Sequence, residues 1–479
     1  MKPVNMAILV LTAAVLAVAY FLPSAGLPAG EGALVVTQIP VQAEPASPGA
    51  RLDPGRRYPA GSRIVLVSDP GQPEQVRVLS QGLERAGAPD LSPDGRRIVF
   101  AGRPSRQSGW TLFEAGIDGR RPVQILRIDK DCSDPAYLAG EQLIFTCAER
   151  RRLPSTWSLY TATLTGRDLT RITFGPGSAF DPTPLADGRI LFSMVQAAGA
   201  GRPDEASALF TINADGTMLA PFAGSHAGPA WKVRPRQTPS GGVIFIAAEV
   251  AGPGSLERVA MSRPMATRVT LVAGGILAAE PAAGGRLLVA AWPEPRTAGS
   301  SALFQLLPEP GSTLEPLMDD PAYHELEGFT VGMTKQPRAR PSAVDTRKTM
   351  GTLVCYDTAA TDGLHGAPTG KPMRLTAEIL PRLDDGGNEP VLLGEVPMAD
   401  DGSFHIQVPA DRPLRMVAVH DGGRRVLSDW FWVRPGEVRT CFGCHENRES
   451  APPNRMVQAV ALEAVPLTGP VDSARGGTP

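Results

Sequence analysis

The sequence carries no long run of one charge. Its 47 basic and 49 acidic residues are interspersed and leave a net charge of −2. This excludes the basic face that a nucleic-acid partner would need and the polybasic patch of a surface-bound membrane protein. Cysteine and histidine are scarce, at 5 and 6 residues in 479. A zinc framework needs a second Cys pair or a His cluster, and neither is present. No P-loop or dinucleotide fingerprint precedes a helix, and no nucleophile elbow occurs. Kinase, dehydrogenase and α/β-hydrolase chemistries therefore have no carrier. After the apolar run Met6–Leu22 there is no second one of that length.

What is plentiful is glycine (51) and proline (48), together roughly a fifth of the chain and well above average usage. Proline at that density argues against long helices. Apolar residues at 42% still supply a core, so global disorder is excluded. Lys2, the short apolar run and the small residues that follow it read as a secretory signal peptide or a retained N-terminal anchor over 1–26. The expected location is periplasmic or otherwise exported, with membrane contact only through such an anchor. Export also places the thiols in an oxidising compartment.

A repeat organises the first two thirds. Ala88–Phe100 contains Ser92-Pro93-Asp94-Gly95 and ends on an apolar strand. Asp134–Phe145 and Asp181–Phe192 follow the same plan, and weaker copies end at Phe245 and Val289. Proline presets φ, aspartate caps the turn locally and glycine takes its crowded position, so the aspartates at the blade turns read as structural. The repeat runs at about 45–50 residues, the period of a four-stranded propeller blade. Most units continue into an outer pair, as in Leu112–Gly119, Leu159–Gly166 and Leu209–Gly216, and a sixth, shorter unit opens at Arg63–Val67. Six units closed into a ring would leave no open sheet edge. These segments resemble the TolB-type propeller repeat, a scaffold that specifies architecture rather than function.

The expectation is an all-β protein: a six-bladed β-propeller followed by a small β-sandwich carrying a c-type haem. The layout reads as a linker over 27–58, the propeller over 59–334 and a basic, proline-flanked linker over 335–345. The sandwich spans 346–438, and a haem attachment segment with the tail spans 439–479. Sandwich strands are expected at Thr352–Tyr356, Met373–Ile379, Val391–Val396, Ser403–Val408, Leu414–Val419 and Val426–Val433.

The chemistry lies at Cys441-Phe442-Gly443-Cys444-His445. Two thiols at this spacing can add to both vinyl groups of one haem, and the adjacent histidine reaches the iron. The competing readings, half a zinc site or a thioredoxin-like pair, lack further ligands and a following helix. For the sixth iron position, His405 alternates with Phe404 and Ile406, so it points away from the sandwich core. Met416 and His420 remain alternatives, as does a solvated His405 with no ligand at all. Met398 and Met456 are near in sequence, while His226, His324 and His365 complete the histidines.

The stretch Val396–Glu446 resembles the C-terminal haem domain of the hydrazine synthase alpha subunit family. The matching segments are Asp401–His405, Val408–Ala410, Arg434–Glu437 and Cys441–Glu446. The resemblance implies a bis-histidine haem, with His445 proximal and His405 distal. The family's second, five-coordinate haem, where its chemistry occurs, has no counterpart, because the chain holds one C-x-x-C-H. A bis-histidine iron suits electron transfer rather than substrate activation. The expected function is therefore electron transfer, with the propeller as docking surface for a redox partner protein or a sister subunit. Two alternatives stand beside it: a haem enzyme or gas-binding protein with an open iron position, and a non-redox propeller scaffold with structural haem.

Three cysteines remain. Cys132 and Cys147 face each other across the hairpin centred on Ala139-Gly140, which allows a cross-strand disulfide if the geometry suits. Cys355 sits in an apolar strand and reads as a buried core thiol.

Overall fold

The computed structural model describes residues 32–42, 53–149, 156–195, 206–224, 230–249, 253–292, 300–360, 370–381, 389–441 and 454–469. Among them the fold is nearly all-β. The signal or anchor segment 1–26 lies outside the described residues, as do His226, His365, Cys444 and His445.

Six strands run side by side around a central channel: β2 (Arg85–Leu91), β3 (Cys132–Tyr137), β4 (Ala179–Pro184), β5 (Trp231–Gln237), the second half of β6 (Val269–Pro281) and β7 (Tyr323–Thr330). Each is the innermost strand of an antiparallel set that extends outward. The middle strands are buried on both faces between neighbouring sets. Ile98, Val99, Phe100 and Ala101 are therefore all buried in succession, where a one-sided sheet would alternate.

Two features depart from a simple series of repeats. The last two sets form one seven-stranded sheet, because β6 is the outer strand of one and the inner strand of the next. Gly274 and Gly275, both at φ +72°, let the chain turn between those two duties. The ring is closed by β1 (Leu34–Pro40), which pairs with β7 on one side and with Arg63–Val67 on the other. Residues 27–58 are thus not a plain linker. The apolar Leu34-Val35-Val36 completes the first sheet, and the helical turn α1 (Pro54–Arg57) directs Arg57 into the channel.

The inner strands share a second repeat. Ala88, Asp134, Asp181 and Arg234 all hold φ between +49° and +51°, each one residue before a proline and each inside a bulge in the pairing. A non-glycine residue in this region costs about 1–2 kcal/mol. The bulges persist because neighbouring units bond to them: Ala88 N–H donates to Glu327 (3.2 Å), and Arg234 N–H donates to Asp181 (2.9 Å). The proline has no N–H to leave unpaired. Asp134 and Asp181 lie in the inner strands that open their units, at the channel, whereas Asp94 serves its turn by accepting from Ser92 and Arg96 N–H.

The second domain is a sandwich of two four-stranded sheets. One contains β8 (Met350–Cys355), β11 (Phe404–Pro409), β14 (Val438–Cys441) and β15 (Val465–Pro466), in the order β14-β8-β11-β15. The other contains β9 (Arg374–Ile379), β10 (Val391–Glu395), β12 (Leu414–Val419) and β13 (Arg425–Leu427), in the order β10-β9-β12-β13. The boundary expected at 438 falls inside this unit, since β14 and β15 supply its two flanking strands. The strand expected over Val426–Val433 stops at Leu427. Beyond it Trp432 buries itself against Ile172 and Ile212 of the propeller and donates from Nε1 to Gly216 O (3.3 Å). Glu437 accepts from Met218 N–H (2.8 Å) and from Arg434 N–H (2.7 Å), which fixes the sandwich to the same propeller face.

Candidate functional site

Cys441 is the last residue of β14, the strand at the edge of its sheet, and its side chain is half-buried against the sandwich core. Its carbonyl accepts from Tyr356 N–H (2.9 Å), so the start of the C-x-x-C-H segment is tied to the end of β8. The return of the chain is tied to the same corner: Arg455 donates to Tyr356 O and Asp401 O and pairs with Asp357 (3.4 Å). Cys441 and Arg455 are therefore tied to one corner of the sandwich.

From that corner the tail is stitched along β11 and the turn before it. Asp401 accepts from Gln458 N–H, Ser403 from Ala459 N–H, and Gln407 O from Leu467 N–H. His405 is the fourth stitch, with Nδ1 3.0 Å from Leu462 O. A carbonyl oxygen can only accept, so this contact assigns the proton to Nδ1 and leaves the lone pair of a neutral ring on Nε2. That is the arrangement in which metal-ligating histidines are held. The strand pairing sets His405, Val354 and Thr440 side by side. His405 is thus about 10 Å across the sheet from the residue before Cys441.

The other candidates are placed differently. Met416 is buried in the sandwich core on the opposite sheet. His420 precedes a 3-10 turn at Asp421–Gly423. His324 is buried in the propeller, accepting from Ser301 N–H (3.1 Å) and packing edge-on against Trp292. Met398 accepts from the Thr358 hydroxyl, and Met456 is 93% exposed. Among the described residues no group of three or more His, Cys, Asp or Glu side chains is arranged to hold a metal ion. For a haem the donor types fit, with His405 oriented with Nε2 bare; Cys441 ends an edge strand with its side chain toward the sandwich core, on the opposite face of the sheet from His405.

The expected disulfide is formed between Cys132 and Cys147. Pairing near the hairpin turn is offset by one residue, and the bulge at Asp134 restores the register that sets the two cysteines opposite each other.

A second concentration of chemistry lies on the propeller axis, and the sequence pattern did not reveal it. Arg57 reaches Asp134 (2.6 Å), Glu327 (2.5 Å) and Asp181 (3.7 Å), which belong to three different inner strands. Arg234 pairs with Glu327 (2.7 Å), the Tyr58 hydroxyl donates to it (2.8 Å), and Arg236 grips Glu280 through Nε (2.7 Å). Burial alone would raise the Glu327 carboxyl, but Arg234, Arg57 and Tyr58 hold it well below the usual carboxylate range. Burial pushes Asp90 up to about 6, despite the Tyr137 N–H that it accepts (2.8 Å) and the opposing charge of Arg236. A cavity of about 640 Å³ opens beyond this cluster, lined in part by Asp90, Arg236, Glu280 and the irregular segment Met333–Lys335. The one signal in the sequence is a residue followed by proline in five of the six inner strands, all but β7, and charged in four of the five.

These features define a class: an all-β protein in which a propeller is docked to a β-sandwich. Residues 386–446 match the family model of the hydrazine synthase alpha subunit middle domain. Hydrazine synthase subunit alpha of Kuenenia stuttgartiensis is 24% identical over 240 residues, covering 37% of this chain and 29% of that one. The aligned part is thus less than a third of that relative's length. The solved hydrazine synthase of Kuenenia stuttgartiensis superposes with a TM-score of 0.77 at 20% identity, over 90% of this chain and 72% of that one. TolB from Acinetobacter baumannii gives 0.44 at 11% identity over 61% and 65% of the two chains. Residues 386–446 are thus similar to the hydrazine synthase alpha subunit middle domain, and the fold as a whole is similar to that of the solved hydrazine synthase. The matched domain is the middle one, not the C-terminal haem domain that Val396–Glu446 resembles by its motifs.

Proposed function

We propose that this protein is an exported monohaem c-type cytochrome that transfers electrons as a subunit of a redox complex. Cys441 and Cys444 would hold the haem covalently, with His445 on the proximal side of the iron and His405 on the distal side. The observation that carries this reading is the His405–Leu462 contact, which orients an imidazole with Nε2 bare on the sheet that ends in the C-x-x-C-H segment. Bound haem c supplies a one-electron iron couple. The chain's own residues fix its surroundings: Tyr356 and Arg455 tie both ends of the attachment segment, and the tail stitched along β11 holds the His405 ring in one orientation. Held by His445 and His405, the iron would have no open position, which would suit electron transfer. The likeness to a synthase subunit supports a place in a multi-subunit assembly, and the propeller is the proposed docking surface for a redox partner or sister subunit.

The match to the middle domain favours a second reading. The resemblance to a bis-histidine domain was drawn to the C-terminal haem domain, so the iron here could instead be five-coordinate and bind a small molecule. Coexpression with haem-c maturation machinery tests the shared premise. Covalent haem is expected in the wild type and absent from the Cys441→Ala/Cys444→Ala variant, with the propeller still folded. Haem that stays covalently bound after both changes would refute the assignment.

A further inference from the structure

Cys355 and Cys441 are register partners on the parallel strands β8 and β14. Both side chains face the sandwich core, Cys355 fully buried and Cys441 half-buried. Neighbouring strands lie about 4.7–4.9 Å apart, which falls within the Cα separation that a disulfide spans. Cys441 also ends an edge strand, so one side of the pair has freedom to adjust. The pair is not bridged in this structure.

We propose that Cys355 is a resolving thiol for Cys441, and that in an oxidising compartment the two close a disulfide before haem is attached. This rests on the haem reading above and deepens it. The step is thiol–disulfide exchange with a protein disulfide oxidant. The thiolate of one cysteine attacks the oxidant's disulfide, and the second cysteine displaces the resulting mixed disulfide. The Cys355–Cys441 bond forms, while two electrons and two protons leave on the oxidant's thiols. The bridge protects the first attachment thiol from over-oxidation. It also makes haem attachment dependent on a dithiol reductant, which returns both thiols so that the Cys441 sulfur can form its thioether. Register favours this partner, because Cys355 is already opposite Cys441 on a paired strand.

The test is a non-reducing peptide map of the full chain, exported without haem maturation machinery, denatured and alkylated. The expected result is a Cys355-containing peptide linked to a Cys441-containing one, beside the Cys132–Cys147 link. A Cys441–Cys444 link, or alkylation at Cys355, overturns the proposal. A second arm measures covalent haem per protein, with maturation machinery and with or without an added dithiol. Wild type is expected to gain several-fold with the dithiol and Cys355→Ala to be indifferent. Equal haem content in wild type under both conditions also overturns it. If neither form acquires haem, the cytochrome reading fails, while the peptide map still decides on the bridge without relying on any variant.

Discussion

His405 and Leu462 are joined by a 3.0 Å contact from imidazole Nδ1 to carbonyl oxygen, across 57 residues of sequence. The contact gives the histidine two duties. It helps fasten the tail to β11, and it leaves Nε2 as the ring's one acceptor.

Replacing His405 with alanine should therefore change the iron more than the fold. In the haem-loaded protein the account expects a low-spin six-coordinate spectrum to become high-spin, with ready binding of carbon monoxide to the reduced form. Absorption spectra of the two forms check this. An unchanged low-spin spectrum in the variant would assign the sixth position to another ligand.

Arg57 is the cation shared by three propeller units, and its side chain is 7% exposed against 4% for Glu327. Arg57→Ala leaves Glu327 paired with Arg234 and takes from Asp134 and Asp181 their ion pair. Breaking a buried network from one side costs about 3–5 kcal/mol, so unfolding by denaturant should shift by that amount. A loss below about 1 kcal/mol, the range of an exposed ion pair, would mean that solvent reaches the channel at Arg57.

Asp90 makes the channel pH-sensitive. Its folded pKa of about 6 lies above the ordinary value of 3.8, so the folded protein binds this proton more tightly than the unfolded chain does. The contribution is present in full below about pH 4 and is lost as pH rises through about 6. Asp90→Asn keeps an oxygen for the Tyr137 N–H and should flatten the stability profile across that window. Denaturation midpoints of the two proteins between those limits make the comparison, and parallel profiles would contradict the assignment.

The Cys132–Cys147 disulfide closes a separation of 15 residues. Opening it in a Cys132→Ala/Cys147→Ala variant should cost about 3 kcal/mol, mainly by freeing the unfolded chain. Thermal unfolding of the wild type with and without reductant should show a loss of similar size.

Local signals made much of this architecture readable. Phe100, Phe145 and Phe192 lie midway along strands that follow Asp-Gly or Gly-Glu turns, and counting across the hairpin sets Cys132 against Cys147, although that register is reached only through the bulge at Asp134. Features built from distant segments were not readable. The pairing of Thr37 with Glu327 spans 290 residues and closes the ring, and no local pattern marks Leu34–Pro40 as its closing strand. Arg57 looks like one of two adjacent surface arginines until the ring places Asp134, Asp181 and Glu327 around it. His405 was visible by strand alternation, but the fixing of its tautomer by Leu462 depends on a tail with few recognisable elements.

The most direct measurement is the absorption spectrum of the haem-loaded wild type, oxidised, reduced, and reduced under carbon monoxide. The account predicts a low-spin spectrum that carbon monoxide leaves unchanged, as two histidine ligands require. A high-spin spectrum that shifts with the gas would contradict it and turn the protein into a small-molecule-binding haem protein.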